Sequence, residues 1–332
     1  MLKEKPVPFP FEKAIRVIVD TDCNCECDDQ FAVAHFLMTP KFDMKGFIAE
    51  HYGEEDSEQM SYDEIVKVTE LMGLGGEVNI LHGAAKAMID EHTPIDSEGA
   101  RFIIEEAMKD DPRPLYVCNQ GAVTNIASAF LLEPKIADRL TVVWIGGGAY
   151  PHGGTEFNMK NDLNAARVVF KSNLRLWQIP ANVYSTMAIS FMELLTRIYP
   201  CGEIGKYLYE NTMIKGKIIM GKIRKTVSVI AERAKKENNQ DMLQAFLGGD
   251  ALDMDLALST ESWLLGDSPC AGLLHNPKAG KYHMAEAPCD LFDDGKYDMS
   301  KPGSKRIRIY DEVDVRFILD DMCNKFKFYF GD

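Results

Sequence analysis

Between residues 17 and 29 the chain reads VIVDTDCNCECDD, and its last ten positions hold Asp20, Asp22, Glu26, Asp28 and Asp29 interleaved with Cys23, Cys25 and Cys27. Carboxylates this close raise one another's cost of ionisation, so something must offset the repulsion. A solvated face is the ordinary explanation of an acidic run. Here, however, the run follows Val17, Ile18 and Val19, which read as a buried parallel strand, and it leads into DDQFAVAHFL, which reads as a helix. The carboxylates therefore stand at the carboxyl end of a strand, where open α/β sheets bind ligands. DTDCN imitates the start of an EF-hand loop, but Cys25 stands where that loop needs Gly and Phe31 where it needs Glu. The C-x-C-x-C spacing could hold a soft metal, yet no matching Cys or His pair follows at zinc-site spacing. A hard divalent cation with oxygen ligands, calcium or magnesium, is what remains.

The elements that would position such a site follow from the apolar runs. IRVIVD, KGFIAEHY, VNILHG, PLYVCNQG, LTVVWIGGG and LRLWQI read as strands. Between them, helices are predicted from Asp29, near YDEIVKVTELMG, near SEGARFIIEEAMK, at VTNIASAFLL and at DLNAARVVFKS. Regular β-then-α alternation predicts an α/β fold with an open, mostly parallel sheet and helices on both faces. From about residue 187 to 244 the pattern turns mostly helical, and KRIRIYDEVDVRF predicts an edge strand followed by a closing helix. No linker stands out, so residues 1–332 read as a single domain.

Composition bounds the partners. With 332 residues, 46% of them hydrophobic, the chain can bury a large core, and a net charge of −14 argues against nucleic acid or an anionic membrane surface. A small molecule fits better. MLKEKPVPFPFEKAIRVIV carries charges and three prolines where a signal peptide needs an apolar run, which predicts a cytoplasmic protein. Eight cysteines without a disulfide framework agree, and Cys118, Cys201, Cys270, Cys289 and Cys323 read as ordinary thiols of the core.

Four further stretches are specific: GAVTNI at Gly121–Ile126, GGGAY at Gly146–Tyr150, EFNMKND at Glu156–Asp162 and LLGDSP at Leu264–Pro269. With the acidic turn, and in this order, they make the chain resemble the nucleoside hydrolase family, the inosine-uridine-preferring type of N-ribohydrolase. That family opens with D-T-D, a short loop and D-D, here spaced by CNCEC. The resemblance runs from Ile15 to about Trp177 and resumes at Trp263. It implies calcium held by Asp22, by both oxygens of Asp29, by the backbone carbonyl of Thr124 and by Asp267. It also implies that Asp22 takes a proton from the attacking water, that Asp28 bonds a ribose hydroxyl, and that Glu156 and Asn158 grip the other hydroxyls, with Asp20 supporting from behind. A nucleoside substrate and a homo-oligomeric assembly of open subunit number belong to the same expectation.

The chemistry asks for such residues on its own account. Breaking an N-glycosidic bond builds oxocarbenium character on the sugar, which calls for nearby negative charge and a positioned water. A cation would lower that water's pKa and offset the crowding of Asp22, Asp28 and Asp29.

Departures from the family concern the leaving group. Its best-known members carry His-Asp where this chain has Gly266-Asp267, and His92, before SEGARFII, stands roughly where another active-site histidine is common. The resemblance thus places His92 against substrate, with a solvated loop histidine as the alternative reading. Glu54 replaces an asparagine, and HGGTE lacks a Gly-Asn. Trp263, Tyr184, His51 and Tyr52 read as core aromatics, with stacking on a base as the alternative. Two other functions compete: a ribonucleoside-binding protein without turnover, and a phosphatase of the haloacid dehalogenase type, which VIVDTD imitates but which would need an aspartate at Cys270.

Overall fold

The structure is a computed structural model that describes residues 13–236 and 260–331. The six predicted strands form as β1 (Ile15–Thr21), β2 (Phe42–Ala49), β3 (Ile80–His82), β4 (Leu115–Asn119), β5 (Leu140–Ile145) and β6 (Arg175–Ile179). All pair in parallel. Between them run α1 (Asp29–Leu37), α2 (Ser57–Leu71), α3 (Glu98–Met108), α4 (Thr124–Leu132), α5 (Phe157–Asn161) and α6 (Leu163–Lys171).

The near-continuous apolar strands are explained by burial on both faces. Val17 and Val19 of β1 pack into one core while Ile18 packs into the other, and the same split separates Phe47 from Ile48 and Val143 from Val142. Each core is roofed by helices. Fully burying one such side chain is worth roughly 1.5–3 kcal/mol, so a polar residue inside these strands needs a compensating role.

The second half begins with α7 (Ala181–Tyr184) and β7 (Ala188–Ser190), then the long α8 (Gly202–Lys236), then β8 (Ser262–Leu264) and α9 (Ser268–His275). The predicted helical region from 187 to 244 thus holds a short strand, β7, which pairs antiparallel with β8; residues 237–244 lie outside the described residues. The chain continues through β9 (Gly280–Glu286), β10 (Asp290–Leu291), β11 (Tyr297–Asp298), β12 (Arg306–Val313) and α10 (Val315–Phe330). KRIRIYDEVDVRF does give a strand and a helix, but β12 is not the edge: it lies between β6, to which it is parallel, and β9, to which it is antiparallel. The edge belongs to β9, whose GKYHMAE is mostly exposed and so lacks the apolar run that marks a strand.

The eight strands stand in the order β3-β2-β1-β4-β5-β6-β12-β9. Order reverses between β1 and β4, so the loops leaving their carboxyl ends part to opposite faces and open a crevice. The acidic run leaves β1 at that point, and Asn119-Gln120 leaves β4 opposite it, with Asp20 in register with Asn119. Among the described residues no helix is long and apolar enough to cross a membrane.

Candidate active site

Two helix starts bring the carboxylates together. Asp28 is the residue before α1 and Asp267 the residue before α9, and neither side chain makes the usual capping bond to its own helix. Both carboxylates instead line one cleft, at the positive ends of the helix dipoles, which favour negative charge. Oxygens of Asp28, Asp29 and Asp267 lie within 4.8 Å of one another. Asp22 lines the same open cleft of about 410 Å³, with Gln120, Asn158 and the bare backbone of Gly266. No Lys, Arg or His lines it among the described residues.

Burial, and after it the neighbouring carboxylates, push Asp22, Asp28 and Asp267 well above the ordinary carboxylate range. Asp29 is raised less simply: burial lifts it, and the Thr21 hydroxyl that donates to its Oδ1 opposes the rise. Oδ2 of Asp22 is buried without a partner among the described residues. Such an orphan needs a proton, a water or an ion. Several buried oxygens with unspent acceptor capacity suit a hard divalent cation, so Asp22, Asp28, Asp29 and Asp267 are the residues fitted to hold one. The close triad contains Asp28 where the sequence led to an expectation of Asp22, although both face the cleft. The cation that acts on Asp29 is Lys215 of α8, tethered to the loop through the Asn24 side chain.

Behind the cluster lies a second acidic pair that sequence reading missed. Asp20 is fully buried and accepts from Asn125 at 3.0 Å and Asn119 at 3.3 Å, while Asn119 also donates to Glu50 at 2.8 Å. Burial raises Asp20 to about 7, and burial together with Asp20 raises Glu50 well above its usual range. Two buried carboxylates this close favour a common proton over two charges. Gly121 is required here by close approach: a Cβ on it would lie 2.4 Å from Glu50 Oε2 and 3.0 Å from Asp22 Cγ.

The rest of the cleft is built from the β5 and β6 loops. Asn158 gives its Nδ2 to the Ile145 carbonyl at 2.9 Å, which fixes the side chain and leaves its Oδ1 without a donor among the described residues. Gln120 gives its Nε2 to the Asp267 carbonyl at 2.9 Å and keeps a buried Oε1 without a partner among the described residues. Ile145, half-exposed Phe157 and Tyr184 supply apolar wall. Glu156 lies underneath. Its Oε2 accepts from Gly147 N at 2.7 Å and Met159 N at 2.9 Å, and its Oε1 from Asn158 N at 3.1 Å and Tyr184 Oη at 2.7 Å. Burial and the Glu156 carboxylate push the Tyr184 hydroxyl far above its ordinary pKa, so it stays a donor.

Other expected residues stand apart from the cleft. His92 is exposed, its backbone N–H bonded to Asp90, and it does not line the cleft. The Thr124 hydroxyl donates to Asp162 at 2.8 Å and faces His51 at 3.0 Å; the residue is fully buried outside the lining. His51, Tyr52 and Trp263 are buried, as the core reading has it. Cys23 and Cys27 belong to the core, and only Cys25 of the three reaches the cleft. Gln120, Ile145 and Phe157 were not anticipated, although Phe157 lies within EFNMKND and Gln120 directly precedes GAVTNI.

Comparisons with known proteins agree on one family. The family model described as inosine-uridine preferring nucleoside hydrolase matches residues 17–257. The chain is 35% identical over 98 residues to an inosine-uridine preferring nucleoside hydrolase of Crithidia fasciculata, covering 28% of this chain and 29% of that protein. It is 37% identical over 86 residues to the Leishmania major protein of the same name, covering 24% and 27%. The matched stretch thus spans under a third of either relative. Over the whole fold, a plant nucleoside hydrolase superposes with a TM-score of 0.68 at 15% identity, covering 94% of this chain and 99% of that one. A purine-preferring ribonucleoside hydrolase from Gardnerella vaginalis superposes at 0.69 and 17%, covering 94% and 98%. At such identities the two structures speak for the fold alone.

Proposed function

The chain belongs to the inosine-uridine preferring nucleoside hydrolase family, and from that premise we propose that it hydrolyses the N-glycosidic bond of a ribonucleoside with calcium as cofactor, as a single-domain cytoplasmic enzyme that assembles as a homo-oligomer. One observation carries the reading: Asp22, Asp28, Asp29 and Asp267 converge with Asn158 on one cleft at the strand-order switch. The free state of all eight cysteines supports a reducing compartment.

The residues divide the work by position. Asp22, with an oxygen to spare, accepts the proton of the attacking water. Asp28 accepts from a ribose hydroxyl, and the surrounding negative charge favours the electron-poor sugar of the transition state. Asn158 is held by the Ile145 carbonyl and turns its own oxygen to a second hydroxyl. Calcium, held by Asp22, Asp29 and Asp267 with Asp28 beside them, would supply positive charge and lower the pKa of the water, while Thr124, expected as a further ligand, lies outside the lining of the cleft.

Among the described residues, protonation of the departing base has no evident donor. Gly266 offers no side chain, and His92 lies off the cleft. The enzyme should therefore favour a leaving group that needs no proton. With calcium present, p-nitrophenyl riboside is expected to be cleaved at least 10² times faster than inosine or uridine, measured as nitrophenolate against reducing sugar. His92→Ala should leave both rates within about twofold. If His92→Ala abolished only the nucleoside reaction, that histidine would be the acid. Failure to cleave even the activated riboside, with ribose still binding, would favour the ribonucleoside-binding reading. Phosphate release from sugar phosphates would favour the phosphatase.

A further inference from the structure

The wall of the cleft over Gly266 is made by an aromatic ring rather than by residue 266 itself. A Cβ built on Gly266 would lie 3.1 Å from Tyr184 Cδ2 and 3.3 Å from Asp28 Oδ2, so the ring and the Asp28 carboxylate face one another across bare backbone. Tyr184 closes α7, the turn that follows β6. That turn is pinned by Ala181 N donating to the Gly147 carbonyl at 2.9 Å and by Tyr184 N donating to the Pro180 carbonyl at 3.1 Å, with Val183 buried beneath it. The ring's position is thus set by β6 and the glycine loop.

Glu156 is the reason the hydroxyl matters. A carboxylate has about four lone-pair sites, and those of Glu156 are all taken: two on each oxygen, from Gly147 N, Met159 N, Asn158 N and Tyr184 Oη. A sugar hydroxyl arriving at Glu156 would have to displace one of these donors. The Tyr184 oxygen, by contrast, spends its proton on Glu156 and keeps lone pairs on a residue that lines the cleft.

We propose that Tyr184 is the residue that receives one of the substrate's ribose hydroxyls, with Glu156 acting through it as a positioning residue. The chain of bonds runs from sugar O–H to Tyr184 Oη, and from Tyr184 O–H to the Glu156 carboxylate. A charged acceptor at its end polarises both links, which strengthens the grip on the sugar without placing a second bare anion beside Asp28. The inference rests on the ribonucleoside reading of the cleft and adds a sugar contact that the motifs do not contain.

Tyr184→Phe tests it, because the ring stays over Gly266 and only the hydroxyl goes. Calcium-loaded wild-type and variant chains are assayed on p-nitrophenyl riboside and on its 2′-, 3′- and 5′-deoxy forms. The expected result is a fall of about 10- to 100-fold in kcat/KM on the parent substrate. That fall should vanish with one deoxy form and persist with the other two. Equal losses on all four substrates would make Tyr184 a purely structural residue, and a loss under twofold on the parent would remove it from the site; either overturns the proposal. A chain that binds without turnover gives the same comparison through calorimetric Kd, so the Tyr184 assignment is decided whether or not hydrolysis occurs. Wild-type protein that neither cleaves nor binds any of the four would overturn this inference and the function it rests on together.

Discussion

Replacing Asp22 by asparagine is expected to lower turnover on p-nitrophenyl riboside by about 10²–10⁴, the range usual for losing a positioned general base. The side chain keeps its shape, but the buried Oδ2 that stands ready for a proton becomes part of an amide. KM should change far less than kcat, since the proton transfer belongs to the transition state. In the absence of calcium the same variant should melt no lower than wild type, because one member of a mutually repelling group has been neutralised. A variant that kept most of its turnover would show that another residue is the base.

Chelation is expected to have the second large effect. An ion that binds only the native chain stabilises it by about 4 kcal/mol at 1,000 times its Kd, so removing calcium should lower Tm by several degrees. The pH dependence has a defined sign. Asp22, Asp28 and Asp267 have folded-state pKa values raised above the unfolded value, chiefly by burial. Such groups favour the native state while they remain protonated. Their contribution is fully present below the unfolded pKa of about 4 and is lost as pH rises from there toward the raised folded values. Stripped protein should therefore lose stability as pH rises above about 4, while calcium-loaded protein should lose much less over the same range. Coincident melting curves with and without chelator across that range would count against a bound ion.

How much of this was legible in the sequence varies with the distance over which residues interact. Strands β1 to β6 announced themselves because burial on both faces demands an unbroken apolar run, and the acidic turn could be placed because strand-to-loop order is local. The antiparallel edge escaped notice, since β9 is mostly exposed and its pairing with β12 is fixed by neighbours rather than by its own pattern. Within the site, Asp22, Asp28, Asp29 and Asp267 were found as carboxylates in motifs. Glu156 was also found, but its four internal donors come from residues 147, 158, 159 and 184, a geometry that no motif spells out. Tyr184 was read as core or as a stacking ring; PANVYS carries no signal that its hydroxyl meets Glu156. Glu50, the partner of Asp20, was missed for a similar reason, because a buried carboxyl beside another looks in sequence like any surface glutamate.

The carboxylates of the cleft come from opposite ends of the synthesis of the chain. Asp22 and Asp267 are 245 residues apart. At a translation rate of about 5–20 residues per second, roughly 12–50 s separate the emergence of the first from that of the second. Through that interval the turn after β1 can be sheathed by its own helix and by β4, yet the set of ligands is incomplete. Bringing the two ends of such a loop together costs on the order of 5 kcal/mol in chain entropy, which sheet and core formation must supply. A cation held by this set therefore could not nucleate the fold. It would be captured only after α9 docks, and metal occupancy would mark a chain folded that far, one that a protein truncated before α9 could never acquire.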